Sequence, residues 1–198
     1  MPISKGSPYG VPGSVPDDVV RVRSDAEARE VLEEARRERQ PFPVLGLLGG
    51  DLRRTLGGPP GGELAGVRFT VDLGEAMIGG RLRLFVAHLV ARNRLWTCSF
   101  VAMNAQWVGR WNAGPRAHPN DGLLDTYDVH LSVGQLGPVR QRLHHGAHLP
   151  HPGIREKRTA AIQVELDKAL PVYLDGERVA VAATLVVRLE PDAVEVVI

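Results

Sequence analysis

The sequence has very little cysteine, almost no net charge and no long apolar run. Its single cysteine, Cys98, excludes a disulfide bond within the chain. Cys98 alternates with Trp96 and Phe100 in an apolar pattern, which predicts a buried and inert thiol. The formal net charge is +1, so no overall field would gather nucleic acid or an acidic membrane surface. No zinc-finger or basic-aromatic pattern is present either, and we expect no nucleic-acid partner.

The absence of long apolar runs indicates the cellular location of the protein. No run reaches about 18 residues, the length needed to cross a bilayer, and the N-terminus lacks the apolar region of a secretion signal. We therefore expect a cytoplasmic protein with no membrane span. The 198 residues are enough for one good core, or for a larger domain with a small appendage.

The first third of the chain predicts a flexible leader and a short α/β segment. Residues 1–17 are rich in glycine and proline and lack periodicity. In residues 18–64, valines at 19–22 indicate a strand, and a capping box from Ser24 to Glu27 begins a helix. The apolar run 44–48 then suits a buried strand. We interpret 18–64 as a reduced α/β segment.

Residues 65–198 change to a periodicity of two. Phe69, Val71 and Leu73 alternate with polar neighbours, and similar alternation recurs as far as Ile198. This pattern is typical of antiparallel strands with one buried face. The predicted fold class is α+β, mainly β: an antiparallel β-sandwich preceded by the reduced α/β segment.

A long polar loop interrupts the strand pattern at residues 104–125. Pro115 and Pro119 stiffen it, and Asp121-Gly122 offers a carboxylate beside a residue that can take positive φ. A loop of this kind is either an ordinary connection or a functional site. Its composition alone leaves both interpretations open.

Three blocks of this loop resemble the second-domain signature of the diacylglycerol kinase-like lipid kinases. They are NAQWVG at 104–109, PRA at 115–117 and DGLLD at 121–125. The family runs Asn-Gly/Ala-x-x-x-Gly, Pro-x-Ala and Asp-Gly-x-Leu-Asp. Further along, VYLDGE at 172–177 is similar to its Val-x-x-Asp-Gly-Glu. The order and spacing of the blocks fit, and the resemblance covers about residues 18–198.

The resemblance implies a catalytic role for the turn at Asp175-Gly176-Glu177. The family places its general base at the glutamate of this motif, so Glu177 would accept the proton of an attacking hydroxyl during phosphoryl transfer. Asp175 would orient the turn. The residues alone leave a plain alternative open, because Asp-Gly between two alternating apolar runs is a strong hairpin signal.

The resemblance also implies a magnesium ion in the second domain. The residues that match the family's ligands are His118, Asp121 and Leu123, with a side-chain carboxylate from Asp121 and main-chain carbonyl oxygens from the other two. Such hard oxygen ligands suit Mg²⁺.

Four histidines at positions 144, 145, 148 and 151 have a spacing that zinc could use. Gly146, Pro150 and Pro152 make that stretch irregular, and no cysteine is near. A metal site there is the weaker interpretation.

Two alignments compete for the nucleotide loop. In the first, Gly49-Gly50-Asp51, between a strand and a short helix, matches the family's Gly-Gly-Asp-Gly-Thr and binds phosphate through backbone N–H groups, with Arg54 beside it. In the second, residues 51–57 match a later block, Asn-Asp-Leu-Ala-Arg-x-Leu-Gly. Residues 23–27, RSDAE, then stand where the glycine loop belongs. We prefer the second, which matches more positions and leads directly into the sandwich.

The preferred alignment implies that the phosphate loop is lost. Side chains replace its glycines, and the carboxylate of Glu27 opposes phosphate. We therefore expect a degenerate lipid kinase that binds a lipid, a small metabolite or a protein partner, including a second copy of itself. The alternatives are an active ATP-dependent lipid kinase, completed by a partner chain, and a purely structural assembly module.

Overall fold

The computed structural model describes residues 9–59 and 62–198, and residues 1–8 of the predicted leader lie outside the described residues. The described helices are α1 (Asp25–Glu38), α2 (Asp51–Thr55) and α3 (Val133–Leu143). The described strands are β1 (Val11–Pro12), β2 (Val20–Val22), β3 (Leu45–Leu47), β4 (Val67–Ile78), β5 (Arg81–Phe85), β6 (His88–Arg92), β7 (Cys98–Met103), β8 (Trp107–Val108), β9 (Trp111–Asn112), β10 (Leu124–His130), β11 (Ile154–Thr159), β12 (Ala161–Leu174) and β13 (Glu177–Val197).

Eleven of the described strands form one sheet. Its main path is β1-β4-β13-β12-β6-β7-β10-β11, with antiparallel neighbours. β5 pairs with β4, whereas β2 and β3 run parallel to each other and β3 joins the end of β13 in parallel. β8 and β9 make a separate hairpin. The predicted mainly-β α+β class is confirmed, and the short α/β segment extends the same sheet.

Three apolar clusters hold the fold together. One is built from residues of β4, β5, β6, β7, β10, β12 and β13, including Phe100, Leu124 and Val187. A second cluster packs α1 and α2 against β3 and β4, and a third packs α3 against β7 and β10. Complete burial of one such aliphatic side chain stabilises the fold by about 1.5–3 kcal/mol relative to leaving it exposed.

Helix α1 begins as the sequence predicts. The Ser24 hydroxyl oxygen accepts the N–H of Glu27 at 3.1 Å, and the Glu27 carboxylate accepts the N–H of Arg23 at 2.6 Å. Ala28 and Leu32 are fully buried, so one face of the helix packs on the rest of the fold, and Asp25 in its first turn is buried as well.

Two details differ from the sequence-based expectation. The strand expected over 95–103 begins only at Cys98, because Asn93 and Thr97 close a turn in which Trp96 takes a φ of 64°. Cys98 is therefore partly exposed at the start of β7 and not buried.

None of the described helices has the length and apolar character needed to cross a bilayer.

Candidate functional site

The turn between β12 and β13 is fastened to the β5–β6 connection by Asp175. One carboxylate oxygen, Oδ1, accepts the N–H groups of Ala87 at 2.8 Å and His88 at 3.1 Å, and Oδ2 accepts the N–H of Val86 at 3.0 Å. Asp175 takes φ 50° and Gly176 takes φ 88°, as a tight Asp-Gly hairpin requires. Burial raises the pKa of Asp175. The predicted hairpin is present, and its aspartate points inward.

Glu177 follows on the surface side of the same turn. Its carboxylate is about half exposed and accepts a hydrogen bond from the Arg29 guanidinium at 2.6 Å. The Arg29 side chain is only 6% exposed and comes from α1. The structure thus brings the predicted base beside a buried cation at the junction of the α/β segment and the sandwich.

Asp25 is a buried neighbour of Asp175 and was not among the predicted site residues. Its carboxylate accepts the backbone N–H groups of Asp51 at 2.5 Å and Leu52 at 3.2 Å. Burial, reinforced by the nearby charge of Asp175, raises the pKa of Asp25 to about 7. A carboxyl group with that pKa can hold or release a proton near neutral pH.

His88 and Asp51 complete what we call the acid cluster: Asp25, Asp51, His88 and Asp175. His88 Nε2 lies 3.1 Å from Asp51 Oδ2, which also accepts the N–H of Gly109 at 2.8 Å. Burial works to lower the pKa of His88, but the bond to Asp51 and the surrounding carboxylates outweigh it, so the pKa is raised. At Asp51, the hydrogen bonds with His88 and with the N–H of Gly109 outweigh burial, so the pKa of Asp51 is lowered.

The raised pKa of Asp25 predicts a pH-dependent stability. The unfolded carboxyl titrates near 3.8 and the folded one near 7, so between these values the folded protein holds more protons. The free energy of unfolding should then fall as pH rises from about 4 to about 7. Urea unfolding of the wild type and of Asp25→Asn across this range should show a flatter profile for the variant, with Asp17→Asn, at an exposed position, as control. Parallel wild-type and Asp25→Asn profiles would contradict this assignment.

The Gly49-Gly50-Asp51 turn is closely packed on Asp25. Gly50 has φ 98°, and a Cβ there would lie 2.4 Å from Asp25 Oδ1. The N–H groups that open α2 are the ones already bound to the Asp25 carboxylate, so a phosphate could reach them only by displacing it. Arg54 is engaged elsewhere: its guanidinium lies 3.4 Å from the centre of the Trp107 ring.

The residues that match the family's magnesium ligands lie together in the central loop. His118 Nδ1 accepts the N–H of Asn120 at 3.2 Å, and Asp121 Oδ1 accepts the N–H of Leu123 at 3.0 Å. The other Asp121 oxygen is bonded to the Arg158 guanidinium. Across the described residues, no group of three or more His, Cys, Asp or Glu side chains is placed to hold a metal ion. Because Mg²⁺ would have to displace a guanidinium, the donor set fits the ion poorly, and magnesium binding stays a prediction.

An apolar cavity between α3 and the sheet was not foreseen. Its volume is about 80 Å³. Sheet residues, the β8–β9 hairpin and α3 all contribute to its wall, which includes Trp96, Val101, Trp111, Tyr127, Leu136, Val139, Leu143 and His148. In the sequence these residues have the spacing of an ordinary core, so periodicity could not show that space remains between them.

Of the four clustered histidines, only His148 is deeply buried. Its ring packs edge-on near Tyr127, with 6.2 Å between ring centroids, and burial lowers its pKa. His151 instead accepts the N–H of Gly153 at 3.0 Å. The histidines therefore have separate surroundings.

Comparison with known proteins identifies the family of the chain. Residues 80–198 match the sequence model described as the YegS C-terminal NAD kinase beta sandwich-like domain. A search of curated proteins finds no significant match.

Two solved structures share the fold over 91% of the chain. A candidate diacylglycerol kinase from Bacillus anthracis strain Sterne has a TM-score of 0.67 and 18% identity, with 77% of its own chain covered. A diacylglycerol kinase from the same strain has a TM-score of 0.63 and 16% identity, with 76% covered.

Proposed function

The chain belongs to the family of the YegS C-terminal NAD kinase β-sandwich-like domain, and on that premise we propose that it is a diacylglycerol kinase-like protein that binds a lipid chain without ordinary ATP-dependent turnover. The observation that carries the proposal is the apolar cavity under α3. The family resemblance directs attention to lipids, and the cavity provides the place where an apolar chain could be buried.

The chemistry of the cavity, and not its size, supports a lipid ligand. Its volume is about 80 Å³, which is below the roughly 300–1,000 Å³ of typical small-molecule sites. Its wall is formed by aliphatic and aromatic side chains from three different elements, among them Val101, Trp111 and Val139. Transfer of a hydrocarbon chain from water to such a wall is favourable by about 0.8 kcal/mol per CH₂ group.

The contacts of Asp25 support the loss of ordinary ATP use. Phosphoryl transfer depends on positioned backbone N–H groups and cations that neutralise the phosphates. In the preferred alignment, residues 23–27 carry side chains in place of the glycine loop. In the other alignment, the N–H groups at the start of α2 already bind the Asp25 carboxylate. A bound phosphate would meet this carboxylate at close range.

Blocking the cavity should abolish lipid binding. Val139 is 5% exposed and faces the cavity from α3, so the larger side chain of Val139→Phe would occupy the space of the ligand. We expect its affinity for monolauroylglycerol to fall by about tenfold or more, the loss of at least two buried CH₂ groups. Intrinsic fluorescence should report binding, because Trp96 and Trp111 lie in the wall.

A matched control lies on the same helix. Val133 is 71% exposed at the start of α3 and is not part of the wall, so Val133→Phe should bind as the wild type does. Unchanged affinity in a folded Val139→Phe variant would show that the probe binds outside the cavity. The absence of any saturable signal from the wild type would refute lipid binding itself.

The acid cluster supports a second candidate, an active phosphotransferase. Asp25 has a pKa of about 7 and lies near Asp175, two residues before the predicted base Glu177, and a proton-accepting site needs such a group. Under this proposal a partner chain supplies the missing nucleotide elements. Glu177→Gln should then abolish turnover while circular dichroism shows an intact fold, whereas a binding protein should keep its lipid affinity in the same variant.

A further inference from the structure

Three apolar side chains lie exposed in one row across the sheet. Met77 of β4 lies directly opposite Leu82 of β5 and Val186 of β13. Residues paired in this way point to the same face of a sheet, so the three side chains are neighbours. Met77 is 41% exposed, Leu82 43% and Val186 42%. We call these three residues the apolar row.

The opposite face of the same strands lies in the core. The strands carry continuous apolar runs here, Ala76-Met77-Ile78 in β4 and Leu185-Val186-Val187 in β13. In each run the first and last residues are buried in the core. Such continuous runs are typical of strands that are covered on both faces, and adjacent exposed apolar side chains indicate a surface that a partner covers.

Helix α1 covers the next row on the exposed face. In that row Glu75 of β4 pairs with Leu84 of β5 and with Arg188 of β13. Glu33 of α1 accepts the N–H of Leu84 at 3.0 Å, and Arg36 of α1 donates to the Glu75 carboxylate. Glu75 and Leu84 are buried as a result. The cover that α1 provides therefore ends at this row, and the apolar row lies just beyond it.

The charges on the two sides of the apolar row have opposite signs. Arg188 lies two residues from Val186 along β13, and its side chain is 65% exposed. Two residues from Val186 in the other direction, Thr184 pairs with the exposed Glu165 of β12. Both positions are about 7 Å from the row along the strands. The face is therefore complementary in charge to a second copy of itself that lies in the reverse strand direction.

We propose that two copies of the chain pack face to face through the apolar row, about a two-fold axis that runs along it. Each residue of the row then meets its own counterpart, which is the self-complementary contact that a two-fold interface requires. Facing sheets pack about 10 Å apart with apolar side chains between them. Arg188 of one copy then lies over the Thr184–Glu165 pair of the other.

The shape of the face allows this approach. The β4–β5 hairpin ends just beyond the apolar row at Gly79-Gly80, two residues without side chains. Helix α1 of one copy therefore fits beyond the end of this hairpin in the other copy. The inference does not depend on lipid binding, because the cavity under α3 has none of these residues in its wall.

Sedimentation velocity of the full chain tests the proposal. The expected result is a shift from monomer to dimer as the protein concentration rises from about 1 to about 100 µM. A wild-type protein that stays monomeric over this range would overturn the proposal and would leave the apolar row to a different protein. Species larger than a dimer would also contradict it, because a two-fold interface closes with two copies.

Met77→Asp tests the position of the interface. It places two carboxylates against each other across the axis, so the dissociation constant of the dimer should rise by about hundredfold or more. Val133→Asp makes the same change of charge at a residue that is 71% exposed at the start of α3, and it should dimerise as the wild type does. A folded Met77→Asp protein that dimerises normally, or equal losses in the two variants, would overturn the assignment.

Glu165→Lys tests the charge pairing at a position outside the apolar row. The lysine faces Arg188 of the other copy, so the dimer should be about tenfold weaker. Asp17→Lys makes the same change at another exposed position and should leave the dissociation constant unchanged. A Glu165→Lys dimer as tight as the wild type, or an equal loss in Asp17→Lys, would overturn the two-fold arrangement.

Discussion

Replacing Asp175 by alanine is expected to lower the free energy of unfolding by about 3 kcal/mol or more. The carboxylate accepts three backbone N–H groups, from Val86, Ala87 and His88. Alanine leaves all three without a partner, at about 1–3 kcal/mol each. Relief of the burial that raises the pKa of Asp175 offsets part of this loss. Urea unfolding followed by circular dichroism measures the difference.

Two variants at the same turn separate structure from chemistry. Asp175→Asn keeps one acceptor oxygen and should have an intermediate stability. Glu177→Gln lies on the exposed side of the turn and keeps an oxygen that can accept from Arg29, so it should cost about 1 kcal/mol or less. An Asp175→Ala protein as stable as the wild type would contradict the fastening role. A Glu177→Gln protein that unfolds would show that the motif serves the hairpin alone.

A loss of similar size is expected for Arg53→Ala, about 3 kcal/mol in the free energy of unfolding. The Arg53 side chain is buried and donates to three carbonyl oxygens, those of Leu47 at 2.7 Å, Glu63 at 2.8 Å and Pro59. Its removal leaves these acceptors without their charged donor and removes the contact with Gly58. The connection from α2 into β4 should loosen, which hydrogen exchange would detect.

The neighbouring arginine gives a matched control. Arg54 is exposed and touches the surface of the β8–β9 hairpin through Trp107 and the carbonyl oxygen of Gly109. Arg54→Ala should cost about 1 kcal/mol or less, the usual value for a cation over an exposed ring. Equal losses for the two arginine variants would contradict the difference in their roles.

The sequence predicts the fold well where the signal is local. Period-two alternation identifies the strands of the sandwich, and the hydroxyl and carboxylate of Ser24 and Glu27 mark the start of α1 as the structure has it. The family predicted from the motif blocks is confirmed by the match over residues 80–198. Periodicity could not show that β3 joins the end of β13 in parallel, because that pairing is set by tertiary packing of distant segments.

The candidate site was predicted only in part. The Asp175-Gly176-Glu177 turn carries a local hairpin signal and a motif, and both could be read in the sequence. Asp25 and His88 carry no such signal, since each looks like an ordinary residue at the start of a helix or strand. Their roles depend on contacts with Asp51 and on burial, which arise only when distant elements pack together.

The cavity escaped prediction for a related reason. Leu136, Val139 and Leu143 have the spacing of a helix that packs on a core, and Tyr127 and Val129 have that of a strand. Whether such surfaces meet or leave room between them depends on side-chain volumes and on the height at which α3 lies over the sheet.

The most direct test of the account is a calorimetric titration of Mg-ATP into the folded protein. We propose that the lipid-binding half is retained. We also propose that neither candidate loop can hold phosphate, because residues 23–27 lack glycines and the N–H groups at the start of α2 bind the Asp25 carboxylate. We therefore expect no saturable heat from micromolar to low millimolar nucleotide. Saturable one-site binding in that range would contradict it and would favour an active lipid kinase with Glu177 as its base.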